Sequence, residues 1–121
     1  TAALKLVQVP YDEFDALMTI MRRVNESNAA GKYAESEVAI KEALARSPEA
    51  VTLWESLGQV YAIWGKDSQA IRAYQKGMAL GMVSPSAHHN LAIIYGKLGR
   101  QADSMREYQR SEELQNKWSG K

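Results

Sequence analysis

Glycine returns at a fixed interval of 34 positions in this chain of 121 residues, and this repeat constrains the fold more than any other feature. Gly31, Gly65 and Gly99 are each followed directly by a basic residue. Columns of small and of large side chains recur with the same interval, namely Ser36, Ala70 and Ser104, and Ile40, Tyr74 and Tyr108. A period of this length that preserves side-chain size is typical of units that pack against their neighbours, so we expect stacked repeats.

The apolar residues inside each repeat are spaced for helices. Trp54, Leu57 and Tyr61 follow one another at steps of three and four residues, which place them on one stripe of a helix. The repeated glycines mark the ends of the first helices, because glycine adopts the left-handed conformation of a C-cap without a steric penalty. Each repeat therefore holds two helices joined by a short turn.

Two serine-proline pairs separate the repeats. Proline disfavours a helix in the residue before it and is tolerated in the first helical turn, so Ser47-Pro48 and Ser84-Pro85 mark boundaries. Asp67 is expected to be the N-cap of the fourth helix. The pattern predicts helices over residues 12–30, 33–46, 50–64, 67–81, 85–98 and 101–117.

The central repeat resembles a known family. The segment Trp54-x2-Leu57-Gly58-x2-Tyr61, followed by Ala70-x3-Tyr74, is similar to the signature of the tetratricopeptide repeat. The third repeat keeps the same offsets at His88, Leu91, Ala92, Tyr95, Ser104 and Tyr108, whereas the first matches mainly in its second helix. The resemblance implies an all-α solenoid, a right-handed superhelix of three helix-turn-helix units with six or seven helices in repeats at about 17–50, 51–84 and 85–118.

The first eleven residues lie outside the repeats. We expect residues 1–11 to form an N-terminal arm and residues 12–121 to form a single domain of three repeats. Pro10 is expected to prevent a continuous helix into Tyr11. Two alternatives stay open for this arm. It is a disordered tail, or it docks on the first helix pair, in a groove or on another copy of the chain, where it would support weak self-association.

Composition and charge exclude several function classes. The formal net charge of +1 offers no large field of one sign to nucleic acids, so no nucleic-acid partner is expected. The apolar runs are too short for a membrane span, and we expect a soluble chain that is not embedded in a membrane. Cysteine is absent, which excludes disulfides and thiolate metal sites and leaves the compartment open.

Chemistry-bearing motifs are not found in the sequence. It contains no G-x-S-x-G, no P-loop and no G-x-G-x-x-G. His88 and His89 are adjacent, and neighbouring helical residues point about 100° apart, so they are not expected to share a metal ion. We therefore expect no enzymatic activity, no catalytic residues, no metal site and no cofactor.

In the family, the first helices of the repeats line a concave groove. The resemblance places eleven residues of this chain in that groove: Met18, Met21, Asn25, Thr52, Glu55, Gln59, Ile63, Ser86, His89, Ile93 and Lys97. Their mixture of apolar and polar side chains suits an extended peptide or a helix with apolar anchors. Trp64 and Trp118 are further candidates for interface residues, because tryptophan is enriched there.

Relatives that grip the acidic C-terminal tails of chaperones hold the carboxylate with Lys, Arg and Asn side chains. The corresponding positions here are Met21, Asn25, Ser56, Ser86 and Asn90, and only Asn25 agrees with that pattern. We therefore expect weak or absent binding of such tails.

The resemblance implies a non-enzymatic module for protein–protein interaction, a scaffold or adaptor that binds a peptide or helix of a partner protein in the groove. Two alternatives stay open. One is a chaperone-like holder of a secretion or membrane-system subunit, and the other is a regulatory domain cut from a longer enzyme or transporter.

Overall fold

Three consecutive helical hairpins make up the computed structural model, which describes the backbone of residues 2–118 and the side chains of residues 15–118. The six helices in this part of the chain are α1 (Ala2–Ala29), α2 (Tyr33–Arg46), α3 (Val51–Trp64), α4 (Asp67–Ala79), α5 (Pro85–Lys97) and α6 (Gln101–Trp118). No strand occurs among residues 2–118, so the prediction of an all-α chain of three helix-turn-helix units is confirmed. None of these helices combines the length and the hydropathy needed to cross a bilayer.

The chain divides into two compact units, Thr1–Pro48 and Glu49–Lys121. The first unit contains α1 and α2, and the second contains the hairpins α3–α4 and α5–α6. The observed helix bounds agree with the predicted ones within a few residues, except at the start of α1. The organisation of residues 12–121 as a single domain stays a prediction.

The first helix begins much earlier than the sequence pattern predicted. Its backbone is helical from Ala2 to Ala29, so the prediction that Pro10 prevents a continuous helix is wrong. A proline inside a helix removes one backbone hydrogen bond and crowds the preceding turn, but the turns on either side keep their own hydrogen bonds. The predicted arm of residues 1–11 lies where no side chain is described, and its role in self-association stays a prediction.

The turn inside each hairpin is built in the same way three times. Gly65 takes a φ of 81°, and Gly31 and Gly99 take 75° and 77°, which confirms the predicted left-handed helix ends. The basic residue after each glycine then donates its backbone N–H five residues back. These bonds join Lys32 to Ser27 at 2.7 Å, Lys66 to Tyr61 at 2.8 Å and Arg100 to Tyr95 at 2.8 Å.

Small residues let the two helices of a hairpin approach each other. In the first unit the buried Ser36 hydroxyl lies 3.3 Å from the Val24 carbonyl oxygen, and in the third hairpin Ser104 donates to the Ala92 carbonyl at 2.7 Å. Both contacts join residues twelve positions apart, and the two serines occupy equivalent places in their repeats. The recurring column of small residues is therefore a helix contact.

Gly58 lies against the Tyr74 ring in the central hairpin. A Cβ atom at this position would meet the Tyr74 ring at 2.6 Å, well inside van der Waals distance. Tyr74 is fully buried, and its hydroxyl accepts a hydrogen bond from Asn90 at 3.0 Å, so its ring is fixed from both ends. The packing of α3 on α4 thus requires glycine opposite this tyrosine.

Ser84 and Pro85 open α5 as predicted. Ser84 is the N-cap, its hydroxyl accepts from the Ala87 N–H at 3.1 Å, and Pro85 is the first helical residue. The prediction for Asp67 is wrong, because Lys66 occupies the N-cap of α4 and no side chain caps that end. Asp67 is instead the first residue of the helix, where its carboxylate accepts from Lys97 at 3.1 Å.

Replacing Gly58 with alanine is expected to destabilise the chain, because the added methyl group overpacks the contact with Tyr74 at a cost of about 1–3 kcal/mol. The better helix propensity of alanine, about 1 kcal/mol, offsets only part of this loss. Gly96→Ala is the matched control, since a Cβ there would meet only Ser104 Oγ, at 3.5 Å.

Urea unfolding followed by circular dichroism measures both variants. Gly96→Ala is expected to be as stable as the starting chain or more stable. A Gly58→Ala variant that unfolds at the same urea concentration as Gly96→Ala would show that the contact with Tyr74 does not limit the packing.

Candidate functional site

In the second unit, α3 contacts α5, and equivalent residues of the two helices face away from the core. We call this surface the α3–α5 face. It consists of the eight predicted groove residues of this unit, Thr52, Glu55, Gln59, Ile63, Ser86, His89, Ile93 and Lys97. Seven of them are exposed and Glu55 is half-buried. The opposite sides of both helices are buried, for example at Leu57 and Leu91.

The α3–α5 face carries two apolar side chains that the fold does not bury. Ile63 is 50% exposed and Ile93 is 43% exposed. In the repeat, Gln59 is equivalent to Ile93 and Lys97 is equivalent to Ile63, and both of these polar side chains are also exposed. An exposed isoleucine is ordinary when it stands alone, whereas two of them on adjacent helices offer anchor points for a partner.

A cleft of about 720 Å³ opens at one end of this face. It is lined by Glu55, Val83, Ser84, Pro85, Ser86, His89, Gln115 and Trp118. The structure therefore brings three of the predicted residues together, namely Glu55, Ser86 and His89. Thr52, Gln59, Ile63, Ile93 and Lys97 lie outside the lining of this cleft.

Sequence reasoning missed most of the other wall residues. Trp118, a candidate interface residue only by its residue type, lines the cleft with 62% of its surface exposed. Gln115 lies near the same end of α6. Because α6 runs antiparallel to α5, the end of α6 lies beside the start of α5. The resemblance places the groove on the first helices, so it carried no signal for a wall that the end of a second helix contributes.

Hydrogen bonds fix the polar side of the cleft. The Ser84 hydroxyl donates to Glu55 Oε2 at 2.6 Å while it also accepts from the Ala87 backbone N–H. Ser84 is buried, so this pair links the start of α5 to α3 in a defined geometry. The Glu55 carboxylate is thereby held at the edge of the cleft.

Two further contacts fasten α5 to α4. Asn90 donates to the Tyr74 hydroxyl at 3.0 Å, and Lys97 pairs with Asp67 at 3.1 Å. The amide of Asn90 is therefore engaged inside the protein, and the one lysine on the α3–α5 face already has an acidic partner. Neither group is arranged as a clamp for a carboxylate tail.

The two adjacent histidines have separate surroundings. His88 Nδ1 lies 2.5 Å from Glu107 Oε2 of α6, whereas the His89 ring meets the Tyr108 ring edge-on with centroids 5.5 Å apart. No group of three or more His, Cys, Asp or Glu side chains suited to a metal ion occurs among residues whose side chains are described. Both histidines serve contacts between α5 and α6.

The first unit places its three predicted groove residues on α1. Met18 is 52% exposed, Asn25 is exposed and Met21 is half-buried. A separate cleft of about 440 Å³ in this unit is lined by other residues, namely Arg23, Glu26, Ser27, Ala34, Glu35, Val38 and Ala39. The binding role of Met18, Met21 and Asn25 stays a prediction.

Burial raises the pKa of the Tyr74 hydroxyl above its ordinary value of 10.0. The hydrogen bond from Asn90 lowers this pKa, and the negative charge of Glu55 raises it. The folded chain therefore favours the protonated phenol more than the unfolded chain does. The stability that this preference contributes is complete below the unfolded pKa and is lost as the pH rises through the folded pKa.

We expect Tyr74 to give a late titration step, above the ordinary tyrosine pKa of about 10, when absorbance at 295 nm is followed at alkaline pH. Tyr74→Phe is expected to remove this late step, and Tyr108→Phe, which changes a side chain that is 43% exposed, is expected to keep it. The free energy of unfolding of the unchanged protein falls as the pH rises above about 10. If Tyr74→Phe keeps the late titration step, the assignment to Tyr74 is wrong.

Comparison with known families supports the assignment of the repeat. The model of the family described as tetratricopeptide repeat matches residues 85–117, which coincide with the third predicted repeat. The chain therefore carries a repeat of this family, as its resemblance implied.

A curated protein and several solved structures are also similar to this chain. Superkiller complex protein 3 of Mus musculus is 29% identical over 80 residues, which are 66% of this chain and 5% of that protein. The crystal structure of MamA superposes with a TM-score of 0.74 and 18% identity over 81% of this chain and 57% of that chain. MamA MSR-1 gives a TM-score of 0.71 at 16% identity over 93% of this chain and 62% of that one. The chain thus spans less than two thirds of each of these proteins, and the structural matches show the fold.

Proposed function

We propose that this tetratricopeptide-repeat chain is a non-enzymatic interaction module whose α3–α5 face binds a peptide or a helix of a partner protein. The observation that carries the proposal is the pair of exposed isoleucines, Ile63 and Ile93, on two helices that pack side by side. Anchors on adjacent helices, with polar residues around them, suit a segment that lies across both helices.

The fold supports this role because buried side chains and hydrogen bonds hold α3 and α5 in place beneath the face. Leu57, Leu91 and Tyr74 are buried beneath it, and the hydrogen bonds from Ser84 to Glu55 and from Asn90 to Tyr74 tie α5 to the preceding hairpin. A preformed surface loses little conformational entropy when a partner binds. The exposed side chains can therefore contribute to affinity.

Met18, Met21 and Asn25 of the first unit belong to the same proposal. Their positions in the first repeat are equivalent to Ser86, His89 and Ile93 in the third. Methionine side chains adapt to partners of different shape, which suits a binding surface. We infer that they form a contact surface of the first unit.

The charge of the α3–α5 face disfavours acidic tails as ligands. Glu55 contributes a carboxylate, and Lys97 is paired with Asp67. A terminal carboxylate would meet repulsion at Glu55 without a cluster of cations to offset it. We therefore retain the expectation that acidic C-terminal tails of chaperones bind weakly or not at all.

A peptide display library selected on the immobilised chain tests the proposal. Peptides that bind are measured by fluorescence polarisation against the chain and against Ile63→Glu and Ile93→Glu. Each substitution is expected to weaken binding by about tenfold, because the peptide loses an apolar contact and must bury a charge.

Met105→Glu is the matched control, since Met105 is 63% exposed on α6 and lies outside the α3–α5 face. Its binding constants are expected to equal those of the unchanged chain. Equal binding by Ile63→Glu, Ile93→Glu and the unchanged chain would overturn the assignment of this face.

A further inference from the structure

The cleft at the end of the α3–α5 face contains one acid and no lysine or arginine. Its lining consists of Glu55, one histidine, and neutral polar, apolar and aromatic side chains. No salt bridge joins Glu55 to a cation of the described residues. The formal charge of the cleft is therefore negative whenever His89 is neutral.

The carboxylate of Glu55 is positioned rather than free to turn. It is half-buried, and Oε2 accepts from Ser84 at 2.6 Å. Ser84 is itself held as the N-cap of α5. A carboxylate with a fixed orientation loses little side-chain entropy when it pairs with a cation, which separates it from an ordinary surface acid.

The other walls suit the long stem and the charged head of a basic side chain. Val83 is 56% exposed and Trp118 is 62% exposed, and both line the cleft with Pro85. The aliphatic part of lysine or arginine packs on apolar surface, and the charged head is attracted to the face of a tryptophan ring. The chain already uses this attraction, because Lys66 Nζ lies 3.8 Å from the centroid of the Trp64 ring.

We propose that this cleft is a subsite for a lysine or arginine side chain of the bound segment, with Glu55 as its ion-pair partner and Trp118 as its aromatic wall. The identification of the segment as part of a partner protein rests on the proposed function. The charge, the apolar walls and the orientation of the carboxylate support the subsite independently of it.

Two small probes test the subsite. Acetyl-arginine N-methylamide and acetyl-citrulline N-methylamide have similar shapes, but only the first carries a positive charge. Each is titrated at pH 8, where histidine is mostly neutral, into the ¹⁵N-labelled chain, and the Trp118 indole and the amides of Ser84 and Ser86 are followed by NMR. We expect the arginine probe to bind about fivefold more tightly than the citrulline probe, as an ion pair of this exposure would produce.

Glu55→Gln is expected to abolish the preference for the arginine probe, because the negative charge is gone. The amide oxygen can still accept from Ser84, so the local structure is kept. Glu113→Gln is the matched control. It removes an exposed acid of α6 that pairs with Arg110 and is not part of the cleft lining, and it is expected to keep the preference. Equal binding of both probes to the unchanged chain, or a preference that survives Glu55→Gln, would overturn the proposal.

A second variant keeps the test independent of folding. Trp118→Leu is expected to weaken the arginine probe by about threefold through loss of the cation–π contact, with the far-ultraviolet spectrum unchanged. Unaltered binding would remove Trp118 from the site. Preference for arginine together with a failed peptide selection would support the subsite and overturn the broader function, whereas the reverse result would overturn the subsite alone.

Discussion

The close approach of α3 and α4 at Gly58 is the contact on which the second unit depends. The ring of Tyr74 occupies the space that any larger side chain at position 58 would need. Because the tyrosine is fully buried, it fills the interior of the hairpin, and its hydroxyl reaches Asn90 of the next hairpin. One pair of residues thus determines both the spacing within a hairpin and the attachment of its neighbour.

That attachment places the candidate site. With α5 held against α4 by Asn90 and against α3 through Ser84 and Glu55, one side of α3 and α5 is buried and the other is left exposed. Ile63 and Ile93 stay exposed because they lie on the side of α3 and α5 that faces away from the core. The same bond that fastens Ser84 also orients the Glu55 carboxylate in the cleft.

The repeat pattern predicted most of the fold because each turn obeys local chemistry. In each of the three hairpins, the first helix ends at a left-handed glycine, and the N–H of the next residue donates back to the helix. These hydrogen bonds join residues that are close in sequence. Pro10 and Asp67 were predicted wrongly. The helix α1 continues through Pro10, and α4 begins at Asp67 itself, whose carboxylate pairs with Lys97. Trp118 and Gln115 reach the cleft through the antiparallel return of α6, which no motif of the first helices encodes.

A double-mutant cycle between Gly58→Ala and Tyr74→Leu tests most directly whether this contact organises the hairpin. If the methyl group at position 58 is costly because it meets the tyrosine ring, its cost falls when leucine replaces the ring, and the coupling energy from urea unfolding exceeds about 1 kcal/mol. Free-energy changes that add to within about 0.5 kcal/mol would show that the two positions act independently, and would contradict the account.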